Sequence, residues 1–336
     1  MRSQLLIVLL LLFVKSFTNA QIAIPENVWA NAEKIILPGG PEDFAVIEHA
    51  VEPYILISCA NRRNDPLQSN QIVKYSFHNN EVLILPRRGE PEELTLKPHG
   101  IFYLNNGVEE YLYVISHDDQ FHYHPIVRYR IYADYLAYDT SFYDRNFISP
   151  NDLHVMANGG FYFVNDAGER GKKSEIYLQQ RRGSVIYHDG KSGSKPVAER
   201  IGMPAGIFVN DTAVFVSAAT ENKILYYSIQ DRGELGKRKV LMKLKSPDNM
   251  ISYKDQIIVA GHSSKLKFIR HVKNSAIISP WYLCSFSDEQ ACSLLLSGGG
   301  DRISGVSAGT IVADAYLILA QIFEPYFYRI NLNEDD

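Results

Sequence analysis

A pair of apolar strand-like runs recurs six times along this 336-residue chain, and that recurrence limits its fold more than any other feature. The pairs are 54–58 with 71–77, 111–115 with 125–131, 160–164 with 183–187, 213–217 with 223–229, 256–260 with 265–269, and 315–319 with 325–330. Each run is rich in β-branched and aromatic residues, as in Tyr54-Ile55-Leu56-Ile57, and each is bounded by turn residues. Successive pairs start 43 to 59 residues apart, which is the size of a four-stranded propeller blade. No Pro-, Gly- or Ser-rich linker interrupts the series. The expectation is an all-β chain, with residues 21–336 forming one six-bladed β-propeller of four-stranded blades. An irregular pair of β-sandwiches is the rival, and the regular recurrence argues against it.

Composition narrows the functional classes. Hydrophobic residues make up 46% and charged residues 21%, too apolar a mixture for a disordered chain. The net charge is −4 and the longest basic run is Lys237-Arg238-Lys239, so no nucleic-acid partner is expected. Three cysteines cannot build a disulfide-dense scaffold or a four-cysteine zinc site. Met1–Ala20 has the basic start, apolar centre and small residue at the end of a signal peptide. The expectation is a secreted monomer; retained instead of cleaved, the leader would give a lipid or membrane-surface association. Cys284 and Cys292 are close enough in sequence to pair, which leaves Cys59 as a buried thiol. Asn210-Asp211-Thr212 is a glycosylation sequon between two apolar runs, the place of a hairpin tip.

A second recurrence precedes each pair. The segments are Pro41-Glu42-Asp43, Pro98-His99-Gly100-Ile101, Pro150-Asn151-Asp152, Pro204-Ala205-Gly206-Ile207, Pro247-Asp248-Asn249 and Ser304-Gly305-Val306-Ser307. Equivalent positions of propeller blades converge on the central axis. Glu42, Asp43, His99, Asn151, Asp152, Asp248 and Asn249 are therefore expected together in one channel. Gathered carboxylates repel unless a cation neutralises them. Carboxylates with Asn carbonyls are hard oxygen donors, which suit calcium rather than zinc.

In these segments the chain resembles the paraoxonase/arylesterase family of secreted calcium-dependent lactonases, and more distantly the gluconolactonase and regucalcin propellers. Val164-Asn165-Asp166 and Gly261-His262 follow in family order. The resemblance implies a central channel with two calcium ions. A catalytic ion would be held by Glu42, Asn151, Asp248 and Asn249, and a structural ion by Asp43, Asp152 and the Ile101 carbonyl. His99 and His117 match the family's histidine dyad; Asp166 and His262 match pocket residues. The implied activity is hydrolysis of lactones and aryl esters, with calcium polarising the carbonyl and a histidine assisting water attack.

Two departures stand out. Ala205 occupies a position where the family offers an Asn ligand. The family's disulfide between the chain ends is also missing, so closure must rest on strand pairing. A non-catalytic binding propeller and a sugar lactonase remain as alternatives. The Gly305-Val306-Ser307-Ala308-Gly309 stretch matches a serine-hydrolase motif, but a strand-like run follows it and no histidine occurs after His271, which excludes that reading.

Overall fold

The computed structural model describes residues 22, 24–25, 27–117, 124–169, 172, 174–175, 178–191, 193–287 and 291–333. The leader lies outside these residues, as do Asp118 and His122. Six antiparallel sheets follow one another around a closed ring. Their innermost strands are Gly40–Ile47, Pro98–Asn105, Pro150–Val155, Pro204–Val209, Pro247–Tyr253 and Val306–Val312, which define blades 1 to 6. Blade 2 carries one addition, the two-residue strand Arg87–Arg88 laid parallel on its outer edge.

The recurring apolar runs are the second and third strands of each blade. Tyr54–Ala60 and Ala213–Ala218 are buried along their whole length. A blade is covered on both faces by its neighbours, so these strands read as continuous apolar runs instead of alternating ones. Six hydrophobic cores result, one between each adjacent pair of blades. Between blades 6 and 1, for example, Phe327 packs edge-on against Phe44 and Tyr75. Closure is by strand pairing. Ala32–Ile36 forms the outer strand of blade 6, in register from Ala32 opposite Ile330 to Ile36 opposite Tyr326.

One expectation is corrected. Residues 265–269 were assigned to the second run of the fifth pair, yet Lys265–Lys273 is a helix, α1. Its N-cap Ser264 accepts a hydrogen bond from the Lys267 amide. Leu266 and Phe268 alternate with Lys265 and Lys267 as a strand would over five residues. Over nine residues Phe268, Ile269 and Val272 share one helical face, and that face meets the body. The third strand of blade 5 is instead Trp281–Phe286. Cys284, on that strand, is disulfide-bonded to Cys292, while Cys59 is buried and free. Asn210 sits at a hairpin tip, where its Oδ1 accepts from the Thr212 and Ala213 amides; it lies past the opposite end of the inner strand from Ala205 and does not replace the missing ligand there.

Candidate active site

Every innermost strand breaks register within its first few residues. The shifts fall between Pro41 and Phe44, Pro98 and Ile101, Pro150 and Leu153, Pro204 and Gly206, Pro247 and Met250, and Val306 and Ala308. Proline suits such a strand start because it has no amide proton to donate. The residues inside each irregularity are released from the ladder and re-aimed. They are the axial residues: Glu42 and Asp43, His99 and Gly100, Asn151 and Asp152, Ala205, Asp248 and Asn249, and Ser307. Two motif glycines allow the strands to meet there. A Cβ on Gly100 would lie 2.5 Å from the Asn151 carbonyl oxygen, and one on Gly206 2.5 Å from that of Asp248.

At the start of the inner strands, Glu42 is the centre of an upper cluster. Arg62, from the loop after the second strand of blade 1, places Nη2 3.0 Å from Glu42 Oε2. The same nitrogen lies 2.6 Å from His99 Nδ1 and 3.2 Å from the Pro98 carbonyl oxygen. A guanidinium only donates, so His99 accepts at Nδ1, and its neutral ring carries the proton on Nε2. Glu42 Oε1 is 3.4 Å from His99 Nδ1. Burial pushes the Glu42 carboxyl up to about 7, against the pull of Arg62 and with the help of Asp248, Asp43 and Asp166. His117 stacks at a tilt on His99, with ring centroids 4.2 Å apart, and its Nε2 donates to the Pro150 carbonyl at 2.6 Å. The two histidines therefore form a contiguous pair.

Asn249 Nδ2 donates to the Glu42 carbonyl at 3.1 Å, tying blade 5 to blade 1. Asp248 Oδ2 accepts from His262 Nε2 at 2.9 Å, which leaves His262 Nδ1 as the acceptor nitrogen of the neutral ring. That Nδ1 is buried and has no partner. The His262 ring stacks on Phe268 of α1, centroids 3.6 Å apart. Asn151 reaches Asp166, whose other oxygen accepts from Ser149 Oγ. The neighbouring Asn165 is a latch: its Oδ1 accepts from the Ile148 and Ser149 amides and its Nδ2 donates to the Asn146 carbonyl.

Further along the axis lie Asp43 and Asp152. Asp43 Oδ2 accepts from the Ile101 amide at 2.9 Å, and Asp152 Oδ2 from the Ile207 amide at 2.7 Å, so each carboxylate clasps the next blade. Burial pushes Asp43 up to about 7, and burial with the charge of Asp43 pushes Asp152 upward too. Both stand beside a cavity of about 170 Å³ that Ile101, His154 and Met250 also line. Burial holds His154 down to about 3, so it is neutral.

Two larger features escaped sequence reasoning. One is Arg62, which lies outside the repeating segments. The other is a cavity of about 240 Å³ under α1, lined by Ala205, Asp248, His262, Lys265, Phe268 and Val272 among others. It is mostly apolar, and Ala205 adds to that character where an Asn would have put an amide. Lys265 Nζ is buried without a partner, and desolvation lowers its pKa. Ser307 is buried with an unpartnered hydroxyl, and a strand follows it, as the exclusion of a serine nucleophile requires.

The implied calcium positions differ in fit. The lower one fits: two wholly buried carboxylates with upward-shifted pKa values, hard oxygen donors, and an adjoining cavity for water ligands. The upper one does not fit as arranged. Glu42 is paired with Arg62, Asp248 with His262, and Ala205 offers no oxygen. Among the described residues no three His, Cys, Asp or Glu side chains converge in a metal-binding arrangement, so an ion here would depend on Asn, carbonyl and water oxygens.

Comparison with known proteins agrees with the fold. A gluconolactonase from Xanthomonas campestris is similar over 93% of this chain and 94% of its own, with a TM-score of 0.59 and 14% identity. A luciferin-regenerating enzyme gives a TM-score of 0.59 at 12% identity, covering 89% of this chain and 94% of its own. The calcium-binding protein regucalcin from Agrobacterium tumefaciens gives 0.56 at 11% identity, covering 89% and 91%. At such identities the likeness establishes the architecture alone. No curated protein is a significant sequence match. The sequence profile of the arylesterase family matches residues 67–328, which takes in the two outer strands of blade 1, blades 2 to 5, and blade 6 as far as Tyr328 in its third strand. The chain belongs to the arylesterase family.

Proposed function

We propose that the chain hydrolyses carboxylic esters and lactones at the upper axial cluster. The observation that carries this reading is the Asp248–His262 pair at the wall of the apolar cavity under α1. A carboxylate that accepts a hydrogen bond from the Nε2–H of a histidine orients the ring and stabilises its charged form, and the opposite nitrogen becomes a base. The attacking water loses its proton to His262 Nδ1 as its oxygen bonds to the acyl carbon. The carbonyl pair moves onto the carbonyl oxygen, met by donors of the Glu42–His99 side of the cluster. Collapse breaks the acyl C–O bond, and the proton on His262 passes to the departing oxygen. With a lactone the acid and alcohol remain in one product.

His99, with its proton on Nε2, serves as a donor towards the oxyanion, and His117 fixes that ring by stacking. The acyl or aryl group fills the cavity beside Ala205, Phe268 and Val272. Such walls favour aryl esters and aliphatic lactones over sugar lactones, whose hydroxyls would lie unpaired there. At the lower position Asp43, Asp152 and the Ile101 carbonyl would hold a calcium ion, which when bound supplies charge neutralisation to the buried carboxylates. The Cys284–Cys292 disulfide and the leader support a secreted protein, and the sequon at half-buried Asn210, at its hairpin tip, is the place for a glycan.

The test is a panel of phenyl acetate, an aliphatic δ-lactone and gluconolactone. Turnover of the first two well above that of gluconolactone supports the reading. Turnover of none of them overturns it in favour of a binding propeller.

A further inference from the structure

We propose that Arg62, rather than a second calcium ion, is the resident cation of the upper axial cluster, and that its free Nε–H receives the carbonyl oxygen of a bound ester. The substrate half of this statement rests on the hydrolase reading; the cation half does not.

Three observations converge. First, the position is built. Asn61 holds its loop through Nδ2 to the Asp65 carbonyl at 2.6 Å and Oδ1 from the Asp65 amide at 2.9 Å. Gln68 Nε2 reaches the Phe323 carbonyl of blade 6 at 3.2 Å. Arg63 next door is fixed by Glu324, by the His271 carbonyl and by the Phe323 ring. The Arg62 side chain, 13% exposed, is therefore delivered from a clamped backbone.

Second, the guanidinium takes the oxygen that a metal would need. Glu42 is the sole glutamate of the expected upper set and the side chain is 6% exposed, with Oε2 directed at Arg62. A divalent ion at bonding distance from Glu42 would stand against a fixed positive charge. The substitution at Ala205 removes a neutral oxygen from the same ring of positions. The two features are complementary: Ala205 offers no metal ligand, and Arg62 supplies the positive charge a metal would have brought.

Third, Arg62 has a donor to spare. Nη2 is engaged by Glu42, His99 and Pro98, but Nε is buried and has no partner. A buried, unpaired guanidinium N–H beside a histidine and a carboxylate is a seat for an oxygen that gains negative charge.

The experiment is a calcium count on the full chain, stripped with chelator and titrated by calorimetry, with metal content checked by mass spectrometry. The parent is expected to bind one ion, lost in Asp43→Asn/Asp152→Asn. The double variant Arg62→Ala/Ala205→Asn is expected to bind two. A parent that binds two ions, or a single ion that survives Asp43→Asn/Asp152→Asn, overturns the assignment without reference to any variant at Arg62. A well-folded Arg62→Ala/Ala205→Asn that still binds one ion also overturns it. Turnover is a separate readout: Arg62→Ala should lower kcat/KM by about 10²-fold, with Arg62→Lys recovering part of it. One ion with no turnover in the parent would sink the hydrolase reading and leave the cation assignment standing.

Discussion

Removing calcium should make this propeller's stability fall steeply with pH, and Asp43 sets much of the slope. Its carboxyl ordinarily titrates at 3.8 and burial in the folded chain pushes it up to about 7. The sign follows from linkage. Below about pH 4 the carboxyl is neutral in both states and costs nothing. Between about 4 and 7 the unfolded chain releases its proton while the folded chain keeps it, so unfolding is progressively favoured, and above 7 the full penalty applies. A rise of about three pH units at about 1.4 kcal/mol each gives about 4 kcal/mol. For a chain of this length that is roughly 6 °C in melting temperature. Asp43 is completely buried, so solvent screening takes little from the figure.

Calcium held by ionised Asp43 and Asp152 should cancel the slope. The assay is a set of thermal melts from pH 4 to 8, with chelator and with saturating calcium, for the parent and Asp43→Asn. Glu42 adds a slope of its own, so the difference between parent and variant is the quantity to read. In chelator at pH 7.5 the variant should melt higher than the parent, and in calcium lower. Superimposable profiles for the two proteins in chelator, or a parent insensitive to calcium at pH 7.5, would refute the reasoning.

Other consequences follow from the same geometry. Asp248→Asn should cut hydrolysis by about 10²-fold or more while calcium content stays that of the parent, since its role is to orient His262. The Cys284→Ser/Cys292→Ser variant should lose about 2.5 kcal/mol of stability, the loop entropy of a bridge spanning eight positions, read from denaturant melts. Deleting residues 22–36 should open blade 6, because Ala32–Ile36 is its outer strand. Cooperative unfolding should then be replaced by a broad, ANS-binding transition.

The blades were legible because burial on both faces writes itself into sequence: Ile55-Leu56-Ile57 or Val214-Phe215-Val216 can lie only between two sheets. The axial segments were legible because five of the six carry a proline at the strand start and, in blades 2 and 4, a glycine where backbones nearly touch. That their residues sit in six register shifts was hidden, since an irregularity is a property of two paired strands. Helix α1 was misread because five residues are too few to separate a period of 2 from one of 3.6. Arg62 was missed for a different reason. It belongs to no repeat, and only the fold brings a loop after the second strand of blade 1 onto Glu42 and His99. The Asp248–His262 pair likewise joins two residues that sequence had given separate roles, a metal ligand and a pocket wall.

Ester hydrolysis at this axial cluster depends on His262 as the base. Its most direct test is kcat/KM for an aryl acetate at pH 7.5, compared between the parent and a His262→Gln variant of matched melting temperature. The parent should show measurable turnover and the variant a loss of at least about 10²-fold. Equal turnover by both proteins, or none by the parent, would contradict it.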